Sequence, residues 1–132
     1  MRWLARFLAG KKAPLRGAPA SPRQKTYSAQ SGYVYQYFYL GYRPVRGAVE
    51  FVFDVSSDRK TSFPVTVLVE DAAVEQWSRR NARDLSGTER YAVAKVALFQ
   101  AFDERPEPSA MRAPVRVRAA DLNAIIEKLG LL

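Results

Sequence analysis

Residues 33–55, YVYQYFYLGYRPVRGAVEFVFDV, decide the fold because apolar and polar side chains alternate along much of this stretch. A period of two is typical of β-strands, whose successive side chains point to opposite faces of the sheet. The first strand carries four tyrosines on one face: Tyr33, Tyr35, Tyr37 and Tyr39. Its other face carries Val34, Gln36, Phe38 and Leu40. Pro44 and two glycines make residues 41–47 a turn, and a second strand follows over residues 48–55.

Two further segments extend the predicted sheet. The polar residues 56–60 form a hairpin loop, and residues 62–69 alternate again as a third strand. Because the connections are short, we expect an antiparallel meander. The stretch PVRVR, residues 114–118, is a candidate for a short fourth strand.

The rest of the chain has helical spacing. Asp71 is a suitable N-cap for a helix that contains Val74 and Trp77. Ser86 and Glu89 have capping-box spacing, which predicts a second helix over residues 88–103. Residues 121–129 form a last helix that stops at a glycine.

These elements predict an α+β fold with a three-stranded, or with the extra segment four-stranded, antiparallel sheet and two or three helices packed on one face. We expect one globular domain over residues 33–132. The predicted core consists of Phe51, Phe53, Val55, Val65, Val67, Val69, Trp77, Leu98, Phe102, Ile125 and Ile126.

Residues 1–32 are interpreted as a flexible basic N-terminal arm and linker. The net charge is +8, yet the chain has no acidic residue before Glu50. Such asymmetry indicates an anionic partner, or else a solvated tail. Residues 1–9 contain a stripe of apolar side chains at helical spacing. Such a segment could lie on a membrane surface, serve as an organelle transit peptide or be a frayed terminus. The stripe consists of Trp3, Leu4, Phe7 and Leu8.

The composition excludes several kinds of catalytic and metal-binding site. The sequence has no cysteine and no histidine, which removes thiolate nucleophiles, His-containing triads and the commonest transition-metal ligands. The acidic pairs Glu70-Asp71 and Asp103-Glu104 lie at the ends of predicted helices. Acidic residues occur at such positions without a catalytic role, so these pairs do not indicate an active site. We therefore expect no enzyme, no cofactor and no metal site, and no motif is strong enough to name a family.

Two surfaces are candidate binding sites. If Val34, Phe38 and Leu40 face the helices, the four tyrosines form an open ladder on which bases could stack, with Arg43 and Arg46 near its end. The alternative is that the tyrosines are ordinary sheet surface or a protein-contact patch. The second surface is a helix face with Arg79, Arg80 and Arg83, which could grip phosphates or simply be solvated.

Lys95 falls within the apolar arc of the second helix. We expect this lysine to extend past the helix edge or to pair with an acid such as Glu75 or Asp54. A role in chemistry with a depressed pKa is the other interpretation.

The sequence thus predicts a non-enzymatic binding or assembly module, homodimeric through the tyrosine face, in the cytoplasm. The alternative is a nucleic-acid-binding protein that uses the basic arm and the tyrosine ladder. Binding to a membrane surface through residues 1–9 is a third hypothesis.

Overall fold

A computed structural model describes residues 12–131 of the chain. The elements follow in the order β1 Lys25–Ser28, β2 Val34–Val45, β3 Ala48–Ser56, β4 Phe63–Glu70, α1 Asp71–Asn81, α2 Gly87–Glu104, a short 3-10 helix Pro108–Arg112, β5 Val115–Val117 and α3 Ala119–Leu129. The α+β class is confirmed. No helix within residues 12–131 is long and apolar enough to cross a membrane.

The sheet has five strands in the order β1-β2-β3-β4-β5, so the predicted number of strands is too small. β1 to β4 form the expected antiparallel meander, but β5 pairs with β4 in parallel. A parallel neighbour requires a long crossover, and here α1, α2 and the 3-10 helix supply it. The purely antiparallel sheet predicted from the sequence is therefore wrong at this edge.

β1 is the other addition, and it lies inside the segment that the sequence predicts to be linker. Lys25–Ser28 pairs with Val34–Tyr37 of β2, and the Tyr27 ring packs against the core. This short strand carries no long alternating pattern, so its pairing depends on β2 and α2 rather than on its own sequence. The first strand of the sheet thus begins at Lys25, before Gly32. The apolar stripe predicted within residues 1–9 lies outside the described residues.

The helices begin and end close to the predicted positions. Asp71 is the first helical residue of α1, and Glu70 is its cap without a side-chain hydrogen bond, so the cap predicted at Asp71 is wrong by one residue. α2 has the predicted capping box between Ser86 and Glu89. α3 ends at Gly130, which adopts a left-handed conformation with φ of 68°.

The core lies between one face of the sheet and the helices. Every residue of the predicted core is buried. Tyr35 and Tyr37 join it, with exposed fractions of 0% and 4%. The tyrosines of β2 therefore lie on the core face of the sheet, next to the candidate site described below.

Candidate functional site

The tyrosines of β2 face α2, so the expected open ladder is wrong. The Tyr35 ring stacks on Phe102 with 4.1 Å between the ring centroids. Tyr37 meets Phe99 edge-on at 5.7 Å, and Tyr39 lies 4.6 Å from Tyr91. Tyr33 precedes β2 and is exposed. Because α2 covers Tyr35 and Tyr37, the four tyrosines do not form an open stacking or dimer surface.

A β-bulge in β2 sets this orientation. Between the β2–β3 turn and Gly41 the two strands pair residue for residue, with Gly41 opposite Val52. Tyr39 then pairs with Phe53, and Leu40 is left as the extra residue. Side chains along a strand point alternately to the two faces of the sheet. One inserted residue therefore moves every following side chain of that strand to the opposite face. Tyr39 therefore points to the same side as Phe53, into the core.

A cavity of about 700 Å³ lies between β2, β3, the start of α2 and the N-terminal segment. Its floor is aromatic and apolar, and it is formed by Tyr37, Tyr39, Tyr42, Val49 and Phe51. The start of α2 forms one wall with Leu85, Gly87, Thr88, Arg90 and Tyr91. Cavities that bind small molecules have volumes of about 300–1,000 Å³ and mostly apolar walls. This cavity has both properties, and we call it the aromatic cavity.

The other wall is an extended stretch of the N-terminal segment, residues 16–24, which we call the strap. Its alternate residues Gly17, Pro19, Ser21 and Arg23 line the cavity, and Lys25 of β1 continues the series. Arg16 anchors the strap through two backbone hydrogen bonds with Tyr42, of 2.8 and 2.9 Å. The predicted linker therefore contributes a wall of the candidate site.

Two glycines allow the strap to approach β2. Gly41 has φ of 123°, and a Cβ placed there would lie 2.6 Å from the carbonyl oxygen of Arg16. Gly17 has φ of 73°, and its Cβ would lie 2.9 Å from the Tyr42 ring. Only glycine fits such close contacts in these backbone conformations.

The wall at the start of α2 is held by polar contacts. Ser86 and Glu89 form the capping box, and Arg83 donates two hydrogen bonds to the Glu89 carboxylate, of 2.8 and 3.0 Å. These contacts lower the pKa of Glu89 to about 2, with the bond from Arg83 as the largest cause. Arg83 also contacts the Trp77 ring at 5.2 Å. Arg83 is therefore occupied within the fold and does not project as a free phosphate-binding group.

The charges that line the cavity are all positive. Arg23 and Lys25 are exposed and Arg90 is half-buried, and no acidic residue is among the lining residues. The Nε of Arg90 donates to the carbonyl oxygen of Leu85, which holds the guanidinium at the wall. Sequence reasoning missed these three residues because they come from the strap, β1 and α2, and only the fold brings them together.

The remaining predicted binding residues do not converge on this cavity. Arg43 lies on the opposite face of the sheet, where its Nε donates to the buried Glu50 at 2.8 Å. Arg46 is exposed in the β2–β3 turn, and Arg79 and Arg80 are exposed near the end of α1. They form no common surface with the tyrosines.

Lys95 lies over the rings of Tyr91 and Phe99, with its Nζ at 5.9 and 5.8 Å from the two centroids. Burial, and next the charge of the nearby Lys25, lower the pKa of Lys95. The acid partner expected from the sequence, Glu75 or Asp54, forms no ion pair with Lys95 in the described part of the chain.

Within residues 12–131, no group of three or more acidic side chains is placed to hold a metal ion. Comparisons of the chain with protein-family models, with curated proteins and with solved structures find no significant match.

Proposed function

We propose that this chain is a non-enzymatic binding protein whose binding site is the aromatic cavity, where it holds a small ring-containing molecule. The observation that carries the proposal is the cavity itself, about 700 Å³ in volume with a floor of three tyrosines, Val49 and Phe51. Flat apolar groups gain both burial and ring contacts in such a site. The absence of histidine and cysteine from the chain and of acids from the lining supports binding rather than catalysis.

The cavity supports this function better than the two hypotheses drawn from the sequence. A homodimer through the tyrosine face would need α2 to move away from Tyr35 and Tyr37, which are buried against it. Nucleic-acid binding through a tyrosine ladder would need the same exposure. A single-stranded nucleic acid also needs a continuous groove, whereas the candidate arginines are dispersed over the molecule.

A fluorescent ring compound tests the proposal directly. N-phenylnaphthylamine is uncharged and emits strongly only when it is shielded from water, so its titration reports cavity binding. Thr88→Trp and, separately, Gly87→Phe place a large ring at the cavity wall. A Cβ at Gly87 meets no atom within 4 Å, so the substitution introduces no clash at the Cβ. We expect each variant to weaken binding about tenfold or more.

Gln76→Trp is the matched control, because it adds the same ring at an exposed position of α1 away from the cavity. Circular dichroism should show that all three variants are folded. The proposal is supported if the control binds the dye like the original chain while the two cavity variants do not. It is wrong if the original chain fails to bind, or if filling the cavity leaves the affinity unchanged.

A further inference from the structure

Three cations line the aromatic cavity. Arg23 comes from the strap, Lys25 from β1 and Arg90 from α2. Gly87 and Thr88 of the first turn of α2 line the same cavity. Such a concentration of one sign of charge at the wall of an apolar cavity raises the local concentration of ligands of the opposite sign.

These cations differ from Arg43 and Arg83 in having no acid partner in the described part of the chain. Within residues 12–131, neither Arg23, Lys25 nor Arg90 forms an ion pair. By contrast, Arg43 is paired with Glu50 and Arg83 with Glu89. Arg90 is the partly buried member of this set, and a folded protein usually pairs such charges. An anionic ligand in the cavity would supply the negative charge that Arg90 lacks.

The floor of the cavity adds hydrogen-bond donors. Both phenols are protonated at neutral pH, and burial raises the pKa of Tyr37 and of Tyr39 to about 12, with smaller effects from Tyr91 and, at Tyr39, from Tyr42. A protonated hydroxyl can donate to an anionic oxygen.

We infer that the ligand of the aromatic cavity is a small organic anion, with a flat ring body against the tyrosine floor and an acidic group at Arg23, Lys25 and Arg90. This inference rests on the proposed function, since it names the chemical class of the molecule held there. Carboxylates, sulfonates and phosphate monoesters share the required chemistry. An uncharged ring of the same size can contact the tyrosine floor, but it cannot form ion pairs with the three cations.

A pair of dyes separates the two contributions. Anilinonaphthalenesulfonate is N-phenylnaphthylamine with one sulfonate added, so the ratio of the two affinities measures the effect of the negative charge. We expect the sulfonate to bind the original chain about tenfold more tightly at low salt, and the ratio to fall as salt is added. Naphthyl phosphate and naphthoate, used as competitors of the sulfonated dye, show which acidic group is preferred.

Two variants locate the effect. Arg23→Gln combined with Arg90→Gln should bring the affinity ratio to within about threefold, as should Arg23→Gln with Lys25→Gln. The second pair changes only exposed side chains, which avoids loss of the Arg90–Leu85 bond. Arg46→Gln with Arg80→Gln removes the same net charge from exposed positions outside the cavity, and it should preserve the ratio.

The outcomes distinguish the two proposals. If the uncharged dye binds in the cavity and the sulfonate has no advantage, the inference about the anion is overturned while the binding function stands. If the advantage persists in both cavity variants, or is lost equally in the control, the inference is likewise overturned. If neither dye binds, the proposed function and the inference fall together.

Discussion

Gly41 is the residue on which the candidate site most depends. It follows the bulge that turns the tyrosines inward, and it leaves room for the carbonyl of Arg16 where the strap meets β2. Its φ of 123° lies in a region that side-chain-bearing residues rarely adopt. A glycine within an otherwise regular strand pattern is a known signal of a bulge. That signal is present in the sequence, but it does not say which face the strand then turns to the core.

We predict that Gly41→Ala lowers the free energy of unfolding by about 1–3 kcal/mol and also weakens dye binding, because the new Cβ strains the backbone and displaces the strap. Urea denaturation and dye titration measure the two effects. Gly47→Ala is the matched control, since Gly47 also has positive φ, 75°, but no atom lies near its Cβ position. The control should lose stability without losing affinity. Equal dye affinities in both variants would contradict the role given to Gly41.

Among the elements, β1 has only a short hydrogen-bonded ladder with β2, and its side chains hold it to α2. The Tyr27 ring stacks on Phe99 at 4.3 Å, and its hydroxyl donates to Asp103 at 2.8 Å. The backbone N–H of Gln30 donates to the other Asp103 oxygen at 2.9 Å. Asp103, which the sequence marks only as a helix-end acid, thus connects the β1–β2 turn to the end of α2. Because the strap leads into β1, this contact also supports one wall of the cavity.

We predict that Asp103→Ala costs about 2 kcal/mol of stability, because it leaves the Tyr27 hydroxyl and the Gln30 N–H without their acceptor. Glu104→Ala changes the adjacent exposed acid and should cost less than about 0.5 kcal/mol. Thermal or urea denaturation compares the two. The Asp103 variant should also bind the uncharged dye more weakly, since β1 holds the strap. Similar midpoints for both variants would show that this contact does not stabilise β1.

For the molecule as a whole, the two layers are joined through tyrosines rather than through aliphatic side chains alone. Tyr37 and Tyr39 lie between β2 and α2, next to the aromatic cavity. Burial raises the pKa of each from 10.0 to about 12. In the unfolded chain these phenols ionise near pH 10, so between about pH 10 and 12 the unfolded state binds fewer protons. Stability should therefore be complete below pH 10 and decline as the pH rises through 12.

This pH dependence is a prediction for equilibrium unfolding. The urea midpoint should be constant from neutral pH to about pH 9.5 and then decrease steeply towards pH 12. Tyr37→Phe combined with Tyr39→Phe should reduce the slope of this decrease, because phenylalanine does not titrate. The fraction of tyrosinate, followed by its ultraviolet absorbance on the folded protein, locates the same transition. An unchanged slope in the double variant would mean that other groups cause the alkaline loss.

The sequence was sufficient for the fold class, the α-helices and the core. Strand alternation, the Ser86–Glu89 capping box and the apolar positions of β3 and β4 are local patterns, and local patterns report on the residues that carry them. The buried Phe51, Val65 and Val67 follow from such patterns. The same patterns do not predict that β5 pairs with β4 in parallel. That pairing depends on the position at which the long crossover brings the chain back to the sheet.

The candidate site, in contrast, required the folded molecule. A single extra residue at Leu40 decides which face of β2 is buried, and the sequence pattern is compatible with both orientations because each face carries large apolar side chains. The cavity exists because the strap pairs with Tyr42, which is distant from it along the chain. Arg23 and Lys25 are two residues apart and line the cavity together, but only the packing of α2 adds Arg90 to the same cavity.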